Sequence, residues 1–304
     1  MELNLIKRFL GYVEIMTKIT SVFAFLMTIA YLFYIKQPIN LKLTLLFFAS
    51  MFIFDLTTTA INNYVDTKKS TQIIQFKRRT ALLIIYVLFA LSSVLGLYLA
   101  FLTDITILIL GAICFIFGVF YTYGPVPISR QPLGEILSGI FYGLFIPFII
   151  LYINLPKGTI LSLSINFDTI SIDLQVMYII KVLLISIIPI CTTANIMLAN
   201  NICDLEKDIT VKRYTLPYYL GKKSVYLFAG IYYITYIATI VMVIFKILSP
   251  ICLLSLLTII IVQKNINTFL KVQDKSTTFI CAIKNYIIIM GINTLLIFIS
   301  GLFS

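Results

Sequence analysis

Residues 176–217 read VMYIIKVLLISIIPICTTANIMLANNICDLEKDITVKRYTLP. The run from Val176 to Ala199 is apolar and long enough to cross a bilayer core of about 30 Å. It ends in Asn200, Asn201, Asp204, Glu206 and Asp208, with Lys207, Lys212 and Arg213 among and after them. If the helix continues, Asn201, Asp204 and Asp208 fall at i, i+3 and i+7 and share one face. The reading therefore puts carboxylates at the membrane end of a spanning helix, looking into whatever the bundle encloses.

A shorter version occurs earlier. Asn62-Asn63-Tyr64-Val65-Asp66 repeats the spacing of Asn200-Asn201-Ile202-Cys203-Asp204, again after an apolar run and before a basic loop. Two copies of an unusual polar pattern point to an internal duplication whose two sites face each other. Asp55, Thr59, Asn62 and Asp66 also form one stripe of a helix. Asp55 lies well inside the apolar run, where an ionisable group is costly and is expected to face the bundle interior, as a functional group or as a polar contact between helices.

Composition fixes the class. Of 304 residues, 61% are hydrophobic and only 12% charged, and repeated apolar runs span the chain. That is an all-α polytopic membrane protein, expected as a single integral-membrane domain over residues 1–304. Nine spans are expected, at about residues 13–34, 43–61, 81–101, 105–121, 133–153, 176–199, 225–245, 247–262 and 280–303. The N-terminus lacks the apolar core and small-residue site of a cleavable signal.

The net charge of +11 reads as cytosolic loop charge, not as a nucleic-acid surface. With the N-terminus in the cytosol, only Lys36, Lys42, Lys157, Lys181 and Lys246 fall outside, so both acidic stretches are cytosolic and the C-terminus is external. The outer loop 154–175 is expected to be a polar cover. There is no histidine, and the five cysteines form no CxxC pair. Histidine-based metal sites, histidine bases and zinc clusters are excluded.

The loop from Tyr121 to Glu135 reads YTYGPVPISRQPLGE. Its prolines and glycines specify a shaped turn, which is either a tight connector or a wall of the cytosolic pocket holding Tyr121 and Tyr123.

Carboxylate and amide oxygens without His or Cys suit a hard cation, Mg²⁺ above all. Mg²⁺ prefers a few carboxylates together with substrate phosphates. Lys212 and Arg213, and Lys68 and Lys69 in the other loop, are available for phosphate oxygens. A diphosphate at the mouth of a lipid-embedded bundle points to a prenyl diphosphate, whose tail needs the apolar interior. Metal and cationic groups stabilise the departing pyrophosphate, and an electron-rich aromatic acceptor attacks the allylic cation.

At this point the chain resembles the UbiA superfamily of intramembrane prenyltransferases, and within it the branch acting on 1,4-dihydroxy-2-naphthoate. The likeness rests on Asn62-Asn63-Tyr64-Val65-Asp66, Tyr121-Thr122-Tyr123-Gly124-Pro125, Pro132-Leu133-Gly134-Glu135, and above all NNICDLEKD followed by KRYTLPYYLGKK, between residues 62 and 223. The resemblance implies nine helices around a central cavity in a cell membrane, with the lipid bilayer around them. It implies Mg²⁺-dependent transfer of a polyprenyl group from its diphosphate to an aromatic acid such as dihydroxynaphthoate, with loss of carbon dioxide and formation of demethylmenaquinone. By motif position, Asp66, Asn201, Asp204 and Asp208 would hold the Mg²⁺–diphosphate, with Asn63 as an amide ligand. Lys212 and Arg213, with Lys68 and Lys69, would contact phosphates. Asn62, Asn200, Tyr121 and Tyr123 would line the pocket.

One departure stands out. The family usually has an acid at the position of Asn63 and another several residues beyond Asp66, where this chain reads TKKSTQ. The rival readings are a UbiA-type prenyltransferase acting on another acceptor, a transporter, which favours midplane acids over acids beside basic loops, and a non-catalytic lipid-binding relative.

Overall fold

The computed structural model describes residues 2–67, 74–125 and 127–303. Its helices are α1 (Glu2–Tyr12), α2 (Ile19–Tyr34), α3 (Leu41–Asp66), α4 (Arg78–Leu102), α5 (Ile105–Phe120), α6 (Gly134–Ile140), α7 (Ile146–Asn154), α8 (Val176–Cys203), α9 (Leu205–Thr210), α10 (Leu216–Leu220), α11 (Lys223–Ile244), α12 (Ile259–Lys271) and α13 (Ile280–Phe303). A hairpin, β1 (Leu161–Ile165) and β2 (Ile170–Leu174), lies between α7 and α8. Among the described residues, eight helical segments are long and apolar enough to cross a membrane. The ninth expected span is α5, an apolar helix of 16 residues that covers about 24 Å at 1.5 Å per residue. The expected span near residue 250 begins as a 3₁₀ stretch, Pro250–Thr258, and continues as α12. Proline at its start and Ser249, whose Oγ accepts from Ile251 N–H, set that beginning.

The chain divides into two compact units, residues 1–22 with 40–129 and residues 23–39 with 130–304. In the first, α3 packs along α4, with α5 beside them. Asn40 caps α3 by accepting from Leu43 N–H, and Asp104 caps α5 by accepting from Thr106 N–H. Tyr12, Leu56, Ala60, Ile61, Phe76 and Ala81 form a buried cluster, and the Tyr12 hydroxyl donates to the Ala60 carbonyl at 3.0 Å. Asp55 is answered inside this unit. It pairs with Lys18 at 2.8 Å and accepts from Ser21 Oγ at 2.7 Å, and Lys18 also donates to Thr59. The stripe through Asp55 and Thr59 thus serves a polar contact between helices.

In the second unit α8 is the most buried of the spans and packs against α6, α7, α11 and α13. Small residues make the closest approach. A Cβ on Gly143 would stand 2.2 Å from Ile190 N, and one on Gly139 would stand 2.9 Å from Ile190 O. These glycines form a G-x-x-x-G seam, which lets backbones meet where lipid supplies no hydrophobic drive between helices. A π-helical turn, Phe141–Phe145, joins α6 to α7 opposite Pro189 of α8, so both partners deviate from regular helix at the contact.

Two expectations need correction. The acidic stretch is not one helix: α8 ends at Cys203, Asp204 is its cap with φ −96° and ψ 6°, and α9 starts afresh. Asparagine and aspartate favour such ends because their side chains compete for the backbone. The loop 154–175 is not simply a polar cover, since its alternating residues build the hairpin.

Candidate active site

The seam between α6 and α8 sets the site of the second unit. Glu135, Gly139 and Gly143 recur at i, i+4 and i+8, on the side of α6 and the π-turn that meets α8. Where the two helices end together, Glu135 Oε1 accepts from Asn201 Nδ2 at 2.8 Å. Both side chains are buried. Asp208 is buried as well, 4% exposed, and acts electrostatically on Glu135. Three oxygens here, Glu135 Oε2, Asn201 Oδ1 and Asp208 Oδ2, are buried without a hydrogen-bond partner. Buried oxygens without a donor are costly, so such a group points to something the polypeptide does not supply.

Cations border it. After α9 the chain turns back: Lys212 N–H donates to Ile209 O at 3.1 Å and Arg213 N–H to Asp208 O at 2.8 Å. This is the Schellman pattern, with Lys212 at the left-handed position (φ 57°) that glycine normally fills. The turn returns Arg213 to Asp208, Nε to Oδ1 3.6 Å. Burial raises the Asp208 carboxyl above the usual carboxylate range, and Arg213 opposes that rise. Asp204 is paired with Lys275 at 2.8 Å, and the same ammonium reaches Asn200 Oδ1. Asp274 holds the turn that presents Lys275, accepting from the backbone N–H of Ser276 and Thr277 at 2.9 and 2.8 Å. The hydroxyls of Ser276 and Thr277 also donate to this carboxylate, at 2.5 and 2.8 Å, and these bonds first, with the backbone ones, keep the Asp274 carboxyl below its ordinary range.

In the first unit, Asn62 Oδ1 accepts from Thr122 Oγ1 at 3.2 Å. Asn63 Nδ2 donates to Tyr12 O at 2.9 Å and to Glu14 Oε1 at 3.1 Å. Asp66 is the last residue of α3 and half-buried. Lys68 and Lys69 lie outside the described residues. The carbonyl of Tyr121 accepts from Ser129 N–H at 2.8 Å and closes the proline-rich loop, while Tyr123 is 63% exposed.

Thus Asn200, Asn201, Asp204, Asp208 and Arg213 gather in one unit, with Lys212 on the same turn. Asn62, Asn63 and Asp66 gather in the other. Sequence reasoning missed Glu135, Lys275 and Glu14 as site residues. Glu135 carried a signal, as a carboxylate after Gly134 at the start of a span. Lys275, 71 positions from Asp204, carried none.

The donor set fits a hard divalent cation: all-oxygen, acid and amide, with unpartnered lone pairs. Among the described residues no three Asp, Glu, His or Cys side chains are close enough to hold a metal by themselves. Mg²⁺ commonly takes only one or two carboxylates, with phosphates and waters completing its shell.

An apolar helical bundle ending in orphaned oxygens beside Lys and Arg defines the class: an integral membrane protein with a buried polar and charged cluster at the end of its helices. The chain belongs to the UbiA prenyltransferase family, whose model matches residues 22–283. It is 27% identical over 236 residues to the 1,4-dihydroxy-2-naphthoate octaprenyltransferase of Bacillus subtilis (strain 168), covering 73% of this chain and 69% of that one. The fold is similar to that of a digeranylgeranylglyceryl phosphate synthase, at TM-score 0.67 and 19% identity over 100% of both chains. It is similar to a UbiA homolog from Aeropyrum pernix K1, at TM-score 0.64 and 17% identity over 91% of this chain and 97% of that one. A UbiA homolog from Archaeoglobus fulgidus, solved bound to GPP and Mg²⁺, aligns at TM-score 0.61 and 15% identity over 97% and 98%. The protein is a UbiA-type prenyltransferase, and the transporter and non-catalytic readings give way to that assignment.

Proposed function

We propose that this enzyme transfers a polyprenyl group from its diphosphate to 1,4-dihydroxy-2-naphthoate, giving carbon dioxide, pyrophosphate and demethylmenaquinol, the reduced form of demethylmenaquinone, with Mg²⁺ as its metal. The acceptor rests on the likeness to the Bacillus subtilis relative. The single observation behind the metal–diphosphate reading is the trio of buried, unpartnered oxygens on Glu135, Asn201 and Asp208, bordered by Arg213 and Lys275.

Asp204, Asp208 and Asn201 would hold the ion, and Asp66 and Asn63 offer the same donor types in the first unit. Bound Mg²⁺ supplies Lewis-acid neutralisation of the diphosphate. Arg213 and Lys212 contact phosphate oxygens, and Lys68 and Lys69 are assigned the same work. These cations favour charge on the departing pyrophosphate as the allylic C–O bond breaks. The acceptor ring forms the new C–C bond at the carbon bearing its carboxyl group, which leaves as carbon dioxide. Asn62, Asn200, Tyr121 and Tyr123 line the acceptor's approach. The orientation follows the loop charges, with the N-terminus and site cytosolic and the C-terminus outside a bacterial cell membrane.

The test is an assay of membranes containing the protein, given prenyl diphosphates of several lengths with dihydroxynaphthoate, 4-hydroxybenzoate or a glycerol phosphate, read by mass spectrometry. Prenylated, decarboxylated naphthoate is expected. Its formation should stop with EDTA and return with Mg²⁺. Turnover of another acceptor alone would refute the naphthoate assignment, and chelator-insensitive turnover would refute the metal.

A further inference from the structure

The same arrangement occurs in both units. The second asparagine of each Asn-Asn-x-x-Asp stretch turns its amide nitrogen to a glutamate: Asn201 to Glu135 at 2.8 Å and Asn63 to Glu14 at 3.1 Å. A carboxylate only accepts hydrogen bonds, so it takes the NH₂ of an amide and rejects the C=O. The amide oxygen is thereby left on the other side. Asn201 Oδ1 is buried there without a donor.

The geometry points to Glu135 as a positioning residue that fixes the amide of Asn201 with its oxygen toward the cation, and to Glu14 in the same role for Asn63. This deepens the metal–diphosphate reading and rests on it. The reason is chemical. An asparagine serves a cation only through its oxygen, and an unsupported amide turns over to offer NH₂ groups that repel the ion. Partners of this outer kind commonly govern metal affinity by about 10–100-fold. Glu135 is buried on a seam fixed by Gly139 and Gly143, whereas Glu14 is exposed, so Glu135 carries the larger effect.

The experiment measures Mn²⁺ binding by electron paramagnetic resonance to the purified full chain in detergent, with inorganic pyrophosphate present. Variants are Glu135→Gln, Asn201→Ala and the double variant. Glutamine offers NH₂ as well as C=O and so loses the discrimination. Glu135→Gln should weaken Mn²⁺ binding by about 10-fold or more, and should add nothing in the Asn201→Ala background. Additive losses would mean that Glu135 does not act through Asn201, and would overturn the inference. Unchanged binding in Glu135→Gln with weakened binding in Asn201→Ala overturns it too, and leaves the functional reading standing. Wild-type binding in Asn201→Ala, Asp204→Ala and Asp208→Ala alike removes the functional reading itself. If Glu135→Gln is not recovered folded, Glu135→Ala decides by the same readout: a loss of Mn²⁺ binding that disappears in the Asn201→Ala background supports the device, and unchanged binding or an additive loss overturns it.

A second, independent observation concerns the hairpin. Its register pairs Leu161 with Leu174, Leu163 with Ile172 and Ile165 with Ile170, so one face is entirely aliphatic. Ser162, Ser164, Ser171 and Asp173 occupy the other, where Ser164 and Ser171 bond at 2.9 Å. Ile165, Ile170, Ile172 and Leu174 are each more than half exposed, and Phe167 at the tip is fully exposed. A lone two-stranded hairpin is marginal in water and needs its apolar face covered. Gln175 N–H bonds the Ile160 carbonyl at the hairpin base, and Val176 begins a membrane span directly. The hairpin is therefore continuous with the lipid-facing surface, at the end of α8 opposite Asn201. Its unpaired strand edges exclude the hydrocarbon centre.

We infer that the hairpin lies in the bilayer interface, aliphatic face and Phe167 toward the acyl chains, polar face toward water. The chain has no tryptophan, so Phe167→Trp and Ser164→Trp are single reporters. In vesicles of brominated phosphatidylcholine, Phe167→Trp should be quenched several-fold and be protected from acrylamide, with Ser164→Trp showing the reverse. Equal acrylamide quenching of both would place the face in water. Protection of Phe167→Trp from both quenchers would place protein, such as a second copy, over it. Either result overturns the proposal.

Discussion

Asp55 in the first unit and Asp208 in the second are both buried carboxylates, 5% and 4% exposed, and their surroundings differ in kind. Asp55 has an ammonium at 2.8 Å and a hydroxyl at 2.7 Å. Asp208 has an arginine only at 3.6 Å and one oxygen without a partner, near equally unpartnered oxygens of Glu135 and Asn201. Burial alone therefore does not mark function. A buried acid whose hydrogen bonds are complete holds helices together, and one whose bonds are incomplete is the candidate for binding a ligand.

The comparison breaks most sharply on activity. Asp204→Ala and Asp208→Ala should each cut prenyl transfer by about 10³-fold or more, on the scale of losing a preorganised charge partner, with little change in thermal stability. Asp55→Ala should do the opposite. It strands Lys18 and should cost about 3–5 kcal/mol of stability, measured by denaturation in detergent, while the folded fraction keeps its turnover per molecule. A folded but inactive Asp55→Ala protein would erase the distinction.

Acid should sharpen it next. The Asp208 carboxyl is raised by burial, so the native chain keeps a proton at pH values where the unfolded chain has released it. Metal-free stability should therefore fall as pH rises from the ordinary carboxylate range through the raised value. Mn²⁺ affinity should rise over the same window, because the ion needs the ionised form. In Asp208→Asn, titration of Mn²⁺ against pH should lose that step.

Lys212 offers a smaller and more selective test. A lysine in the left-handed region costs about 1–2 kcal/mol relative to glycine. Lys212→Gly should therefore raise stability slightly and raise the KM for prenyl diphosphate, by about 10-fold if one charge-assisted contact is lost. A more stable enzyme with unchanged KM would remove Lys212 from the phosphate contacts.

The smallest effect is expected at Asn63. Restoring the family's acid with Asn63→Asp adds charge for the cation but removes the donor that serves Tyr12 O and Glu14. It also sets two carboxylates together. Mg²⁺ affinity should change little in Asn63→Asp and should rise several-fold in Asn63→Asp with Glu14→Gln. Equal affinities in the two variants would show that Glu14 does not act on this position.

Much of this was legible in the chain. In lipid the backbone must satisfy itself as a helix or a closed barrel, and barrel strands are short and alternate apolar with polar residues, so long continuous apolar runs determined an all-helical membrane protein. The pattern NNICDLEKD narrowed the candidate ligands, because without histidine or paired cysteines only hard oxygen donors remain. Tertiary structure alone decided which buried acids are spent on packing and which are left open. That depends on Lys18 reaching Asp55, and on two glycines letting Glu135 approach Asn201. Both contacts join residues far apart in sequence, and whether a polar atom is satisfied is a property of its neighbours in space, which no local pattern records.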